Sequence, residues 1–184
     1  MNLNIKSAIF FDRDGSLIVD KPYQYKASEI EYLPGYFELM EFLTTQSHFL
    51  KFIVTNQSGV ARGFFKDSSI REIHKRMNLD LKSRSFLPFD DLAFCPHIEE
   101  DQCSCRKPKA GMIEELCSKW NVDRQRSLMI GDRLSDMGAG HNAKLGHLVL
   151  LNDRNLEKKD ADILKINLTS ISNLFELVDY LSSL

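Results

Sequence analysis

Apolar and polar positions along this chain alternate between a period of two and a period of three to four, in the order strand, helix, strand. Ala8 to Phe11 is a short, unbroken apolar run closed by a turn signal, the pattern of a buried strand. Pro34-Gly35 opens a helical stretch from Tyr36 to Thr45, with Phe37, Met40, Phe42 and Leu43 near helical spacing. His48 to Val54 returns to a strand. Phe64 to Pro88 reads as a loop and a long helix, capped by Asp67 or Ser68 and apolar at Ile70, Ile73, Met77, Leu79 and Leu81. Leu92 to Cys95 fits a third strand, and Gly111 to Trp120 a helix with Met112, Ile113 and Leu116 inward. Ser127 to Ile130 follows as a fourth strand, Met137 to Ala143 as a helix and Leu148 to Leu151 as a fifth strand. Ala161 to Ile166 fits a short sixth edge strand. Ser170 to Leu184 fits a closing helix, apolar at Ile171, Leu174, Leu177, Val178 and Leu181. This alternation predicts an α/β fold, a mostly parallel sheet with helices on both faces.

The bulk numbers narrow the class. A chain of 184 residues holds one full core and not two comfortable ones, so residues 1–184 are expected to form a single domain. The net charge is −2, with acids and bases spread along the chain. No basic tract suggests nucleic acid, and no apolar run suggests a signal peptide or a membrane span. The cytoplasm is the expected location. No surface stripe demands a partner, so a monomer is expected.

The candidate chemistry sits at strand ends. The first predicted strand runs into Asp12-Arg13-Asp14-Gly15-Ser16, and open α/β sheets bind ligands at the carboxyl ends of their strands. Asp12 and Asp14 could converge on one site, one to attack and the other to handle protons. An ordinary Asp-Gly surface turn fits the pair equally well. The second strand ends in Thr55-Asn56-Gln57-Ser58-Gly59, which can aim a hydroxyl and backbone amides at an anion. The fourth ends in Gly131-Asp132-Arg133-Leu134-Ser135-Asp136. Between the first two strands, Leu17 to Leu33 is irregular and aromatic, either a flap over the site or a packed hairpin that touches no ligand.

One loop carries a second signal. Cys95 and His97 form one ligand pair and Cys103 and Cys105 another, separated by residues 98–102. A Cys3His set suits tetrahedral zinc with no vacant position, hence a structural site. The rival, a disulfide between Cys103 and Cys105, would be strained by the single intervening residue. Cys117 stands apart on its predicted helix and reads as a buried structural thiol. Arg106 and Lys107 follow the last ligand directly, so a locked loop would present both cations over the strand ends. Asp12, Asp14 and Asp132 can then hold a hard divalent cation through oxygen. Thr55, its neighbouring amides and Lys107 can hold phosphoryl oxygens, a kit for phosphoryl transfer. Enzymes accelerate phosphate monoester hydrolysis by up to about 10²¹, and a lone acid or base supplies only ~10² to 10⁴. Several contributions must act at once.

These segments resemble, in order, the four motifs of the haloacid dehalogenase superfamily phosphatases. Asp12-Arg13-Asp14-Gly15-Ser16 is similar to the first motif, with Ser16 where threonine is usual. Thr55-Asn56 is similar to the second, Lys107 to the third, and Gly131-Asp132 with Asp136 to the fourth. The Cys-Pro-His and Cys-x-Cys-Arg-Lys-Pro elements resemble a zinc-containing subgroup of heptose-bisphosphate and histidinol-phosphate phosphatases. The resemblance implies a single Rossmann-like domain with no large cap and one structural zinc loop, residues 95–105. It implies Asp12 as nucleophile, Asp14 as general acid and base, and Thr55 and Lys107 as stabilisers of the transferring group. Mg²⁺ would bind Asp12, the backbone carbonyl of Asp14, and Asp132, while Zn²⁺ would bind Cys95, His97, Cys103 and Cys105. Asp136 would brace Lys107 or the cation's surroundings. Substrate contacts would come from Asp20 and Tyr23 in the flap, from Asn56, Gln57 and Ser58, and from Arg106. Arg133 has no assigned role. The expected substrate is a small phosphorylated molecule. Residues 55–63, 109–112 and 136–140 resemble the heptose-bisphosphate enzymes, while the short zinc loop resembles the histidinol-phosphate type. Pro22 stands where the heptose enzymes usually carry glycine. A binding module that kept the fold without the chemistry is the rival from another class, and a nucleic-acid end phosphatase is a second.

Overall fold

In the computed structural model, which describes residues 6–23, 26–46, 48–151 and 167–184, the apolar runs become six parallel strands. They are β1 (Ser7–Phe11), β2 (Phe49–Asn56), β3 (Asp91–Cys95), β4 (Leu128–Gly131), β5 (His147–Leu151) and β6 (Thr169–Ile171). Their spatial order is β3-β2-β1-β4-β5-β6. β1 pairs with β2 on one side and β4 on the other, so the order reverses beside β1. That reversal opens a crevice past the carboxyl ends of β1 and β4, where sheets of this kind bind ligands.

Helices cover both faces, which is why the central strands are apolar throughout rather than alternating. Successive β1 side chains still part by face. Ile9 and Phe11 join α1 (Tyr36–Thr45), α2 (Asp67–Ser83) and α5 (Leu174–Ser182) in one core. Ala8 and Phe10 join α3 (Gly111–Trp120) and α4 (Leu134–Asn142) in the other, where the free thiol of Cys117 packs. Among the described residues no helix is long and apolar enough to cross a membrane.

Three element expectations need correction, and a fourth falls outside the described residues. The expected strand from Ala161 to Ile166 lies outside the described residues, and the edge strand is Thr169–Ile171. The closing helix therefore begins at Leu174, and Ile171 belongs to the strand before it. Leu79 is exposed, because Ile70, Ile73, Met77 and Leu81 share one helical face and Leu79 falls two positions off it. α2 also lacks a side-chain cap: Lys66 precedes it, and Asp67 is already its first residue.

Candidate active site

The site forms where the sequence turns sharply at the end of β1. Asp12 extends the strand, and its N–H donates to the Ile130 carbonyl at 2.8 Å. Gly15 then takes φ +84°, and its N–H closes a turn onto the Ile18 carbonyl. A side chain at Gly15 would place its Cβ 2.4 Å from Asp132 Oδ2, so glycine is required both for the turn and for the approach of Asp132. Ser16 Oγ donates to Asp132 Oδ1 at 3.2 Å and ties the two loops together.

Lys107 arrives from the far side of the zinc-type loop. Its buried Nζ lies 2.6 Å from Asp12 Oδ1 and 2.6 Å from Asp136 Oδ1, and it donates to the Val54 carbonyl at 2.8 Å. Asn56 fixes its backbone in both directions, accepting from Lys107 N–H at 3.0 Å and donating to its carbonyl at 3.1 Å. Asn56 was expected to contact substrate, yet both ends of its amide hold Lys107. Asp136 also accepts from the backbone N–H of Arg133 at 3.0 Å, at the start of α4.

Asp14 does not turn its carboxylate toward the acidic cluster. Arg13 Nε and Nη2 grip it at 3.0 and 2.8 Å, and Gln57 Nε2 donates to it at 2.7 Å. The same Gln57 nitrogen donates to Thr55 Oγ1 at 2.8 Å. Gln57, also expected at the substrate, is buried and engaged with its neighbours. Nothing in the linear motif marked Arg13 as a partner; its position between two aspartates was the available signal.

Burial and neighbouring charges govern the electrostatics of the site. Burial pushes the Asp12 carboxyl up to about 8, against the pull of Lys107, and the nearby Asp136 and Asp14 add to the rise. Burial alone would lower Lys107, but Asp12 and Asp136 hold it above its ordinary value. Burial and Asp136 also raise Asp132. Asp12, Asp132 and Asp136 each offer a carboxylate oxygen within 4.8 Å of the others. A compact, partly desolvated set of carboxylates beside a single ammonium fits a hard divalent cation. Asp136, expected to brace Lys107 or the cation's surroundings, stands in this set, while the side chain of Asp14, whose backbone carbonyl was the expected ligand, is held by Arg13 and Gln57.

The cysteine loop folds as a knot. Cys95 Sγ lies 3.6 Å from both His97 Nδ1 and Cys103 Sγ, His97 Nδ1 lies 3.3 Å from Cys105 Sγ, and the Cys103 and Cys105 sulfurs are 3.5 Å apart. Ligands about 2.0 to 2.3 Å from a tetrahedral zinc stand roughly 3.5 to 3.8 Å from one another. Three of the four distances lie in that range and the one from His97 to Cys105 is slightly shorter, so the four atoms suit a metal, and all four cysteines of the chain are free thiols. Lys109 Nζ donates to the Cys103 and Gln102 carbonyls, and Arg106 Nη1 donates to the His97 carbonyl at 3.1 Å.

A cavity of about 730 Å³ gathers these groups, with Asp12, Asp14, Thr55, Ser58, Arg106, Lys107 and Asp136 on its walls. The Leu17–Leu33 stretch shows a packed base and a tip that lines the cavity. It folds back as a hairpin through an antiparallel bridge between Ile18 and Tyr32, and Asp20, Lys21, Pro22 and Tyr23 line the cavity. Tyr25 lies outside the described residues. Arg133 Nη2 reaches Asp20 Oδ2 at 2.7 Å, and the Tyr23 ring lies 4.2 Å from that of Phe64, so the flap tip is tied on two sides.

The HAD-hydrolase-like family model matches residues 104–168. A D-glycero-alpha-D-manno-heptose-1,7-bisphosphate 7-phosphatase of Campylobacter jejuni is 41% identical over 174 residues, covering 94% of this chain and 97% of that protein. A D-glycero-beta-D-manno-heptose-1,7-bisphosphate 7-phosphatase of Helicobacter pylori is 32% identical over 179 residues, covering 97% and 99%. Among solved structures, D,D-heptose 1,7-bisphosphate phosphatase from B. bronchiseptica, complexed with magnesium and phosphate, matches with a TM-score of 0.79 and 25% identity. That match covers 96% of this chain and 98% of that one. None of the three is named for histidinol phosphate.

Proposed function

Because the chain belongs to the haloacid dehalogenase-like family of heptose-1,7-bisphosphate 7-phosphatases, we propose that it removes the 7-phosphate of D-glycero-D-manno-heptose 1,7-bisphosphate. The observation that carries this reading is the end-to-end match to heptose enzymes in a chain whose expected site positions are all filled. In this reading residues 1–184 form one catalytic domain, acting as a monomer in the cytoplasm on a small sugar bisphosphate.

Asp12 attacks the phosphorus of the 7-phosphate, and the bond from phosphorus to the C7 oxygen breaks. Asp14 gives its proton to the departing alkoxide. Asp14 then takes a proton from the water that attacks the aspartyl-phosphate, which frees phosphate and restores Asp12. Lys107 already stands at Asp12 Oδ1, where the transferred group will be attached, and with Thr55 it balances the charge on the phosphoryl oxygens. Asp12, Asp132 and Asp136 would hold Mg²⁺, with a further oxygen from the Asp14 backbone; when bound, it would neutralise charge on the transferring phosphoryl group. Cys95, His97, Cys103 and Cys105 would hold Zn²⁺ as a fixed brace for Arg106 and Lys107. Arg106, Ser58 and the flap residues Asp20 and Tyr23 would meet the rest of the substrate.

The test is phosphate release from both anomers of the heptose 1,7-bisphosphate with Mg²⁺, beside L-histidinol phosphate, with Asp12→Asn as the blank. Release of the 7-phosphate from the bisphosphate, abolished in the variant, is expected. Preferential release from histidinol phosphate would overturn the substrate, and activity surviving Asp12→Asn would overturn the mechanism.

A further inference from the structure

We propose that Arg13 and Gln57 are positioning residues that orient the Asp14 carboxylate so that Oδ1 carries the proton exchanged with the leaving group. The inference rests on the reading that Asp14 is the acid of the first step. An ionised carboxylate offers about four lone-pair sites. Arg13 Nη2 and Gln57 Nε2 both donate to Oδ2, and Arg13 Nε donates to Oδ1. Oδ2 is thus filled, and Oδ1 keeps the open position. When the bond between phosphorus and the leaving oxygen breaks and the bond to Asp12 forms, the proton on Oδ1 passes to the alkoxide.

Stability does not explain this arrangement. Arg13 is 1% exposed, and its Nη1 has no hydrogen-bond partner among the described residues. A buried ion pair roughly breaks even against apolar packing, and an unpartnered buried donor costs more. A turn aspartate would need neither a buried guanidinium nor a buried amide behind it. Gln57 adds a second constraint, because one nitrogen bridges Asp14 and Thr55. The group that handles the leaving oxygen and the group that would hold the phosphoryl oxygens are therefore set relative to each other.

The test separates aim from mere packing by changing the leaving group. A sugar alkoxide needs a proton as it departs, whereas p-nitrophenolate leaves without one. The measured quantity is kcat/KM, which ends at departure of the leaving group and excludes the later hydrolysis common to both substrates. In Gln57→Leu, the ratio of kcat/KM for the heptose bisphosphate to that for p-nitrophenyl phosphate is expected to fall roughly 10- to 100-fold, part of the ~10² to 10⁴ a positioned acid supplies. Arg13→Lys keeps the charge but loses the fork, and should lower the ratio in the same direction. If Arg13→Lys fails to fold, as its circular dichroism would show, Gln57→Leu carries the test alone. An unchanged ratio in Gln57→Leu, with both rates lowered equally or neither lowered, overturns the proposal. Asp14→Asn serves as reference: an unchanged ratio there would instead overturn the acid role itself. Any alkyl phosphate that the wild type hydrolyses can replace the heptose, so the result does not hang on the substrate assignment.

Discussion

A hydrogen atom in place of a methyl group at position 15 decides where Asp132 can sit. At φ +84°, with a would-be Cβ 2.4 Å from Asp132 Oδ2 and 2.8 Å from its Cγ, Gly15→Ala must displace either the turn or the carboxylate. Backbone strain of this kind costs about 1–3 kcal/mol. The Mg²⁺ concentration for half-maximal activity should therefore rise roughly tenfold, which corresponds to about 1.4 kcal/mol. A magnesium titration of phosphate release checks this, and an unshifted midpoint would remove Asp132 from the cation's ligands. At this scale the kinds of chemistry were legible, because Asp12, Thr55, Lys107 and Asp132 each end a recognisable apolar run or follow the cysteine loop. The pairing of Asp14 with Gln57 was not, since the two lie 43 positions apart and the contact exists only once β1 and β2 are in register. The hold of Asn56 on the backbone of Lys107 was hidden for a similar reason, since the two lie far apart in sequence and meet only in the fold.

Elements obey the apolar pattern except where they are short. Thr169–Ile171 presents only Ile171 to the core, and Ile171 also falls at helical spacing with Leu174 and Val178, so periodicity alone extends the last helix backward through the strand. The signal that separates them is polar. Asn173 Oδ1 accepts from the N–H groups of Phe175 and Glu176 at 3.0 Å, and Glu176 Oε2 accepts from Ser172 N–H at 2.8 Å. This reciprocal cap fixes where α5 starts. Asn173→Ala should cost about 1 kcal/mol, seen as a fall of roughly 2–4 °C in Tm for a chain of this size. Phosphatase activity at 25 °C should stay at the wild-type level, because α5 packs on α1 and not on the site. A larger fall, or none, would mean that the helix start is set by Leu174 and its packing instead of by the cap. The flap shows the converse case, where the pattern left two readings open: an antiparallel bridge between Ile18 and Tyr32 holds its base while residues 20–23 line the cavity.

Across the whole molecule, the sheet order poses a problem that the cysteine knot solves. β3 is the edge strand, separated from β1 by β2, yet the chain leaving it must bring Lys107 back to Asp12. The loop from Cys95 to Lys107 crosses the end of β2, with only the short helical turn Glu99–Asp101 to stiffen it. Ordering each residue of such a loop costs about 1–2 kcal/mol. A structural zinc site contributes on the order of 10–16 kcal/mol in small peptides, enough to hold the crossing in one conformation. The two cores that pin the sheet lie on its faces and use α1 to α5, and the knot meets only one of them, where Cys95 is buried and Cys103 and Cys105 pack against it. Stripping zinc with a chelator, then returning Mg²⁺ in excess, should therefore lower phosphate release at least tenfold while the far-ultraviolet circular dichroism stays near that of the intact protein. Zn²⁺ should restore the activity, and further Mg²⁺ should not. Full activity in protein shown by metal analysis to be zinc-free would mean that Asn56, Asp12 and Asp136 suffice to hold Lys107. Loss of the dichroism together with the activity would instead make the knot part of the fold's foundation and not a brace for the site.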